Sequence, residues 1–373
     1  MKKKEFKFQP IVWISIFLAL MHPSAWALVQ EDKKDDPLDI LNILGIPLIQ
    51  SDYSPKKLLD QGEGYKEGYK INTAFKGIKG LRNYGNTCYL NAITYLIANT
   101  NLQKIADESE RSSSEGLSLP NLKLKKSLKN LLKSIKSKGD EREHQNNLRN
   151  YLKEVQQALK GKYVGSVYMQ QDAAEFLELL LQALGAEGSE FEMIQREQIT
   201  YADESKPVIY DRPYNILQLP LEGRCIKDLV KHYFKREFFQ SSMQNNLEVD
   251  KFKQVGLVKS PKTLLVQLKR FAHLNKNRSP IELDRYLTLP FYSSKANGLS
   301  EQIDDETYRL KALVAHLGHS AKFGHYVSYE IKYKKTGTYL LKYDDEHISK
   351  VPMSELRTLL ASDAYLLAYE RKN

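Results

Sequence analysis

Cysteine is scarce in this chain of 373 residues, with only Cys88 and Cys225 present. Two thiols cannot build a disulfide framework, nor supply the four thiolates of a zinc ribbon. A disulfide between them would silence either one as a nucleophile, so both are expected to be free. Long apolar runs are lacking too. The run from Ile11 to Met21 has 11 residues, short of the ~20 that a membrane-spanning helix needs. Aromatic residues are absent among the lysines between Leu122 and Lys138, which argues against single-strand nucleic-acid binding. The net charge of +10 falls to +7 without the basic leader, too moderate an excess to demand an anionic partner. What is present, 42% apolar and 27% charged residues, is ordinary for a globular protein with an extensive core and excludes disorder throughout.

The first residues have the pattern of an export signal. Lys2, Lys3, Lys4 and Lys7 precede the apolar run, His22 and Pro23 break it, and Ala25-Trp26-Ala27 fits the small-residue rule for cleavage. Residues 1–27 are therefore expected to be a signal peptide, giving an exported protein that starts near Leu28. The alternative is an uncleaved anchor extended through Trp26 and Val29, which would be the only membrane contact. Residues 28–77 have the composition of a linker, with a charged run from Glu31 to Asp36 and Gly62, Gly64 and Gly68 further on. Within it, Ile40, Leu41, Leu44 and Leu48 have helical spacing, suited to docking on the domain that follows or to binding a partner.

The chain is organised around Gly80 to Ala92, GLRNYGNTCYLNA. Gly85 and Asn86 can make a turn, and Asn86 or Thr87 can cap a helix carrying Leu90, Ala92, Ile93, Leu96 and Ile97. Cys88 then lies in the first turn, where free backbone N–H groups and the helix dipole favour a thiolate. The plain alternative is a small buried hydrophobe. Further on, Leu124, Leu128, Leu131 and Ile135 share one face of a lysine-rich helix, with the lysines solvated. In Gln170 to Leu177, QQDAAEFL, Asp172 and Glu175 form a capping pair for a helix burying Phe176, Leu179, Leu180 and Leu184. From Arg212 the pattern becomes strands: Pro213 to Pro220, Lys262 to Phe271, Tyr308 to His316, His325 to Tyr333, Tyr339 to Asp344 and Ala364 to Glu370. Ile226 to Phe239 between them looks helical. His316, His319 and His325 lie close in sequence, and Gly324 lets the backbone approach closely at the last.

Three groups of residues resemble the boxes of the ubiquitin-specific proteases, the papain-like deubiquitinating enzymes. Asn83, Gly85, Asn86, Thr87, Cys88, Tyr89 and Asn91 match the cysteine box, and Gln170 to Leu177 the QQDAxEFL element. Gly324-His325-Tyr326 matches the histidine box, with Tyr343-Asp344-Asp345 one strand later and LKRF ending at Phe271. The resemblance covers about four-fifths of the chain. It implies an α+β, papain-like fold over 78–373, a helical lobe to about 190 and an antiparallel-sheet lobe from about 191, with the catalytic cleft between them.

The same resemblance implies Cys88 as nucleophile, His325 as base and Asp344 as the residue orienting it, with Asp345 assisting. Asn83 and the Cys88 N–H would stabilise the oxyanion. Gln170, Asp172 and Tyr326 would bind the C-terminal tail of ubiquitin or a ubiquitin-like protein, although capping is a sufficient reason for Asp172. No cofactor is implied. In many relatives two CxxC pairs hold zinc in a finger, and cysteine is absent between Phe191 and Asp211 and between Gln240 and Lys259. The finger is therefore expected to be metal-free or shortened, and Cys225 a core residue. An exported enzyme would not normally meet ubiquitin conjugates, and one resolution is a bacterium that lives in or on eukaryotic cells and delivers the protein to its host. The competing readings are a papain-like acyltransferase or general cysteine protease using the same triad, and a module that holds ubiquitin without cutting it.

Overall fold

The residues after Thr87 are apolar on every side, and they form a helix, Cys88–Ala98, whose eleven residues are all buried. A helix without a polar face has to lie inside a core. The computed structural model describes residues 77–107, 117–162, 167–202, 206–242, 248–272, 275–294, 298–300, 302–320, 323–335, 337–358 and 360–372, all within the unit Lys70–Asn373. The leader, the extension behind it and the helical segment around Leu44 lie outside the described residues, as does the loop at 108–116.

Three more helices surround the cysteine helix. Leu119–Ile135 buries Leu124, Leu128, Leu131 and Ile135, the face expected from their spacing. Each contributes roughly 2 kcal/mol of burial. Glu141–Ala158 packs against it and is capped by Asp140, whose side chain accepts from the Arg142 N–H. The acidic helix, Ala173–Ala183, packs against the cysteine helix. Among the described residues no helix is long and apolar enough to cross a membrane.

The strands join one sheet of 14 strands among the described residues. Its central part is antiparallel: Gln302–Ser320 pairs with Phe323–Lys334, which pairs with Gly337–Asp344, which pairs with His347–Val351. Ala364–Arg371 lies between Gln302–Ser320 and Thr263–Leu268. Alternate side chains go to opposite faces. Tyr326, Leu341 and Leu366 join the core shared with the helices, whereas Val327, Leu340 and Leu367 join a second core on the other face.

Two expected elements differ. The stretch Pro213 to Pro220 is split between Val208–Tyr214 and Ile216–Leu219, because Pro213 lies in an edge strand paired on one side while Ile216 begins a parallel pairing with Leu265. The helix expected to reach Phe239 ends at Tyr233, and Glu237–Ser242 is a strand paired with Glu248–Lys259. Phe238 meets Phe252 across that pair, and the Arg236 guanidinium lies 4.2 Å from the Phe252 ring centre. Aromatic cross-strand contacts of this kind outweigh the weak helical periodicity.

Candidate active site

Gly85, at φ 108°, makes the turn before the cysteine helix in a conformation that L side chains rarely adopt. Thr87 is the N-cap, but its hydroxyl does not cap. It accepts from the Tyr84 N–H at 3.0 Å and donates to Asn83 Oδ1 at 3.2 Å. Asn83 Oδ1 also accepts from the Thr87 N–H at 3.1 Å. This closed loop of bonds fixes Cys88 as the first helical residue.

The same turn is tied to the far end of the chain. Asp345, at φ 52°, accepts from Asn83 Nδ2 at 2.9 Å and from Asn91 Nδ2 at 2.8 Å. Its carbonyl accepts from Tyr95 Oη at 3.0 Å and from the Leu81 N–H at 3.1 Å. Gly80 packs so closely on Glu346 that a Cβ there would lie 2.3 Å from the Glu346 carbonyl oxygen. Tyr95 and Gly80 carry this junction without having been singled out in the sequence. The helical spacing of Asn91 and Tyr95, both facing back toward the turn, was the only signal for the tyrosine.

His325 stands on Phe323–Lys334 and Asp344 ends the neighbouring strand. The imidazole Nε2 and Asp344 Oδ1 are 2.6 Å apart. That leaves Nδ1 free of Asp344, and the Cys88 thiol is near enough to help raise the ring. Burial opposes a charge on His325, but Asp344 and Cys88 outweigh it and push the ring up to about 10. Burial likewise opposes the charge on Asp344, and the bonds from His325 and Lys342 hold it down at about 2. The arrangement favours a proton on the imidazole, and a ring that takes up a proton beside a thiol is what activation of that thiol requires.

Asp345 Oδ2 is 4.0 Å from His325 Nε2, so Asp345 holds Asn83 and Asn91 more directly than it holds the histidine. Its side chain is thus engaged by the amides rather than by the ring. His316 is fully buried and pushed down to about 4, mainly by burial, so it is a neutral ring. His319 is exposed.

The residues expected to bind a tail divide. Gln170 Oε1 is 3.9 Å from Cys88 Sγ, at the thiol itself. Asp172 caps the acidic helix, Oδ1 accepting from the Ala174 and Glu175 N–H groups at 2.7 and 3.1 Å, while Oδ2 accepts from Tyr365 Oη at 2.6 Å. Tyr326 is corrected: at 1% exposure, with its ring packed on His316, it supports the cleft from beneath and offers substrate no surface. Cys225 is corrected as well, being a half-buried residue at the start of the helix Ile226–Tyr233 rather than a core residue. Both cysteines are free.

A groove of about 670 Å³ runs from Asp172 past Glu175 and Glu178 on the acidic helix, with Tyr214, Gln267 and Lys269 opposite. His325, Asp344 and Asp345 bring ligand-type atoms within 4.8 Å of one another. Lys342 Nζ lies 3.1 Å from Asp344 Oδ2, and both Asp345 oxygens already accept from amides. The donor set therefore suits an imidazolium better than a metal ion.

Residues 79–369 match the family model "Ubiquitin carboxyl-terminal hydrolase". The chain is 26% identical to ubiquitin carboxyl-terminal hydrolase 36 of Drosophila grimshawi over 85% of its own length and 27% of that protein's. It is 24% identical to ubiquitin carboxyl-terminal hydrolase 4 of Arabidopsis thaliana, covering 78% of this chain and 92% of the other. The chain spans about a third or less of the first relatives it matches. In fold it is similar to a chain of the SAGA Ubp8/Sgf11/Sus1/Sgf73 DUB module bound to ubiquitin aldehyde. The TM-score is 0.62 at 22% identity, over 80% of this chain and 70% of that one.

Proposed function

Because the chain belongs to the ubiquitin carboxyl-terminal hydrolase family, we propose that it is a thiol-dependent deubiquitinase. It would cut the isopeptide or peptide bond after the terminal glycine of ubiquitin or a ubiquitin-like protein. The observation that carries the reading is a histidine held by a carboxylate at 2.6 Å and raised in part by the thiol of Cys88. Asp344 orients the imidazole, and His325 takes the proton from Cys88. The thiolate attacks the glycine carbonyl. The Cys88 N–H and the second N–H of the Asn83 amide, whose first is committed to Asp345, stabilise the oxyanion. His325 then protonates the leaving lysine amine, and water releases the acyl-enzyme.

The groove beside the acidic helix supports a binding site for an extended, basic tail. Asp172, Glu175 and Glu178 follow one another along it, and burial raises the Glu178 carboxyl above its usual range. A cationic side chain placed there would restore the charge that burial disfavours. The named relatives come from a fly and a plant, so delivery by a bacterium draws no support from them. Export itself rests on residues 1–27, and N-terminal sequencing of protein recovered from the medium would test it.

Ubiquitin carrying a fluorophore as its C-terminal amide tests the activity. Release is expected about 100-fold or more above a Cys88→Ala control. Equal rates would end the proposal. A ubiquitin propargylamide probe should form a covalent adduct with the parent protein and none with the variant, which separates an enzyme from a binding module.

A further inference from the structure

The segment preceding the acidic helix is pinned across the cysteine turn at two points. Tyr89 Oη donates to the Val167 carbonyl at 2.9 Å, and Asn86 Nδ2 donates to the Tyr168 carbonyl at 3.3 Å. Two residues later Gln170 is carried over the thiol, and Cys88 Sγ donates to its Oε1 at 3.9 Å. The other end of the amide, Nε2, is buried and has no hydrogen-bond partner. An orphaned buried amide N–H is costly, so its position calls for an explanation.

We propose that Gln170 is a further catalytic residue, an amide whose orientation follows the proton on Cys88. With the thiol protonated, Oε1 accepts the weak S–H bond. When the sulfur gives that proton to His325 it becomes an acceptor only, and Oε1 beside it is repelled. Rotation of the amide by half a turn places Nε2–H against the thiolate. The bond lost is a weak neutral one and the bond gained has an ionised acceptor, roughly twice as strong as a neutral bond. The net effect favours the reactive form. No bond besides S–H and N–H changes: the proton leaves the sulfur and stays on the imidazole. Exchanging the amide oxygen and nitrogen gives the same result, with the donor already in place and the oxygen orphaned. This role rests on the proposed identity of Cys88 as nucleophile, and it places Gln170 at the reacting atom rather than along the tail.

Alkylation by iodoacetamide reads the thiolate without ubiquitin, so this test is separate from that of the activity. In a Cys225→Ser background only Cys88 can react. Gln170→Glu, which presents an oxygen and a negative charge to the sulfur, should move the pH of half-maximal alkylation up by about one unit and slow alkylation at pH 7 about tenfold. Gln170→Met, similar in size and uncharged, should shift it in the same direction by less, and it serves as the readout should the buried carboxylate unfold the chain. With the ubiquitin amide, both should lower kcat more than they raise KM. Alkylation profiles identical to the parent's in the folded variants, or an effect confined to KM, would overturn the role. A parent protein that alkylates as described but leaves ubiquitin uncut would instead remove the proposed activity.

Discussion

At Asp344 one carboxylate serves two cations, with Oδ1 on His325 and Oδ2 on Lys342 at 3.1 Å. Its loss in Asp344→Asn should lower kcat by about 100-fold or more, since the ring is then no longer held for proton transfer. The alkaline limb of the pH–rate profile should also move down, because the carboxylate is part of what lifts His325 to about 10. The same two groups set a pH dependence of stability that thermal melts across pH can follow. His325 is raised, so its contribution is complete below its unfolded value of 6.5 and is lost as pH rises through about 10. Asp344 is lowered, so its contribution is present above 3.8 and is lost as pH falls through about 2. Cys88, His325 and Asp344 were legible in the sequence because each stands in a short run of fixed neighbours. The contact between Gln170 and the sulfur was not. Which atom of a side chain meets a residue 82 positions away is set by the pinning of the intervening segment, and no local pattern encodes that.

On the acidic helix, the N-cap and the groove wall are the same residue. Asp172→Asn keeps an amide oxygen that can accept from the Ala174 and Glu175 N–H groups, and asparagine is as good an N-cap as aspartate. It should leave the melting temperature close to the parent's and raise KM for the ubiquitin amide several-fold if the charge serves the tail. Asp172→Ala removes the cap and also strands the Tyr365 hydroxyl, and it should cost on the order of 2 kcal/mol of stability. Comparing the two melts and the two KM values separates the roles that the sequence left side by side. The helices Cys88–Ala98 and Leu119–Ile135 were readable because their apolar spacing matches their buried faces. Glu141–Ala158 was legible too, since His144, Leu148, Tyr151, Leu152 and Val155 keep helical spacing and Asp140, Glu141 and Glu143 mark its start, although it was not read from the sequence. The strand Glu237–Ser242 stayed hidden because its register comes from a partner that follows it in the chain.

Across the molecule, strands that follow the acidic helix are tied together by polar contacts of one arginine. Arg196 on Met193–Tyr201 makes two 2.7 Å bonds to Asp211, its register partner on Val208–Tyr214. It also donates to the carbonyls of Ser293, Ser294 and Gly298, beyond the strand Tyr286–Tyr292. Three segments thus meet on one guanidinium. Arg196→Met should cost on the order of 2 kcal/mol, discounted because the Asp211 side chain is 41% exposed. That predicts a melting temperature lower by several degrees with the alkylation rate of Cys88 unchanged. The sequence showed that the cysteine pairs of a zinc finger were missing; that a single arginine joins these segments depends on tertiary register and could only be seen in three dimensions.

The helix that begins at Cys88 has no side open to water along its eleven residues. It is therefore the centre of the core, and the chemistry has no scaffold of its own that could outlast the rest. On dilution from urea, turnover should return only with the final closing of tertiary structure and on the same time course as the near-ultraviolet signal of the buried tyrosines. A refolding intermediate that already cleaves would mean that this helix can be assembled ahead of everything packed around it.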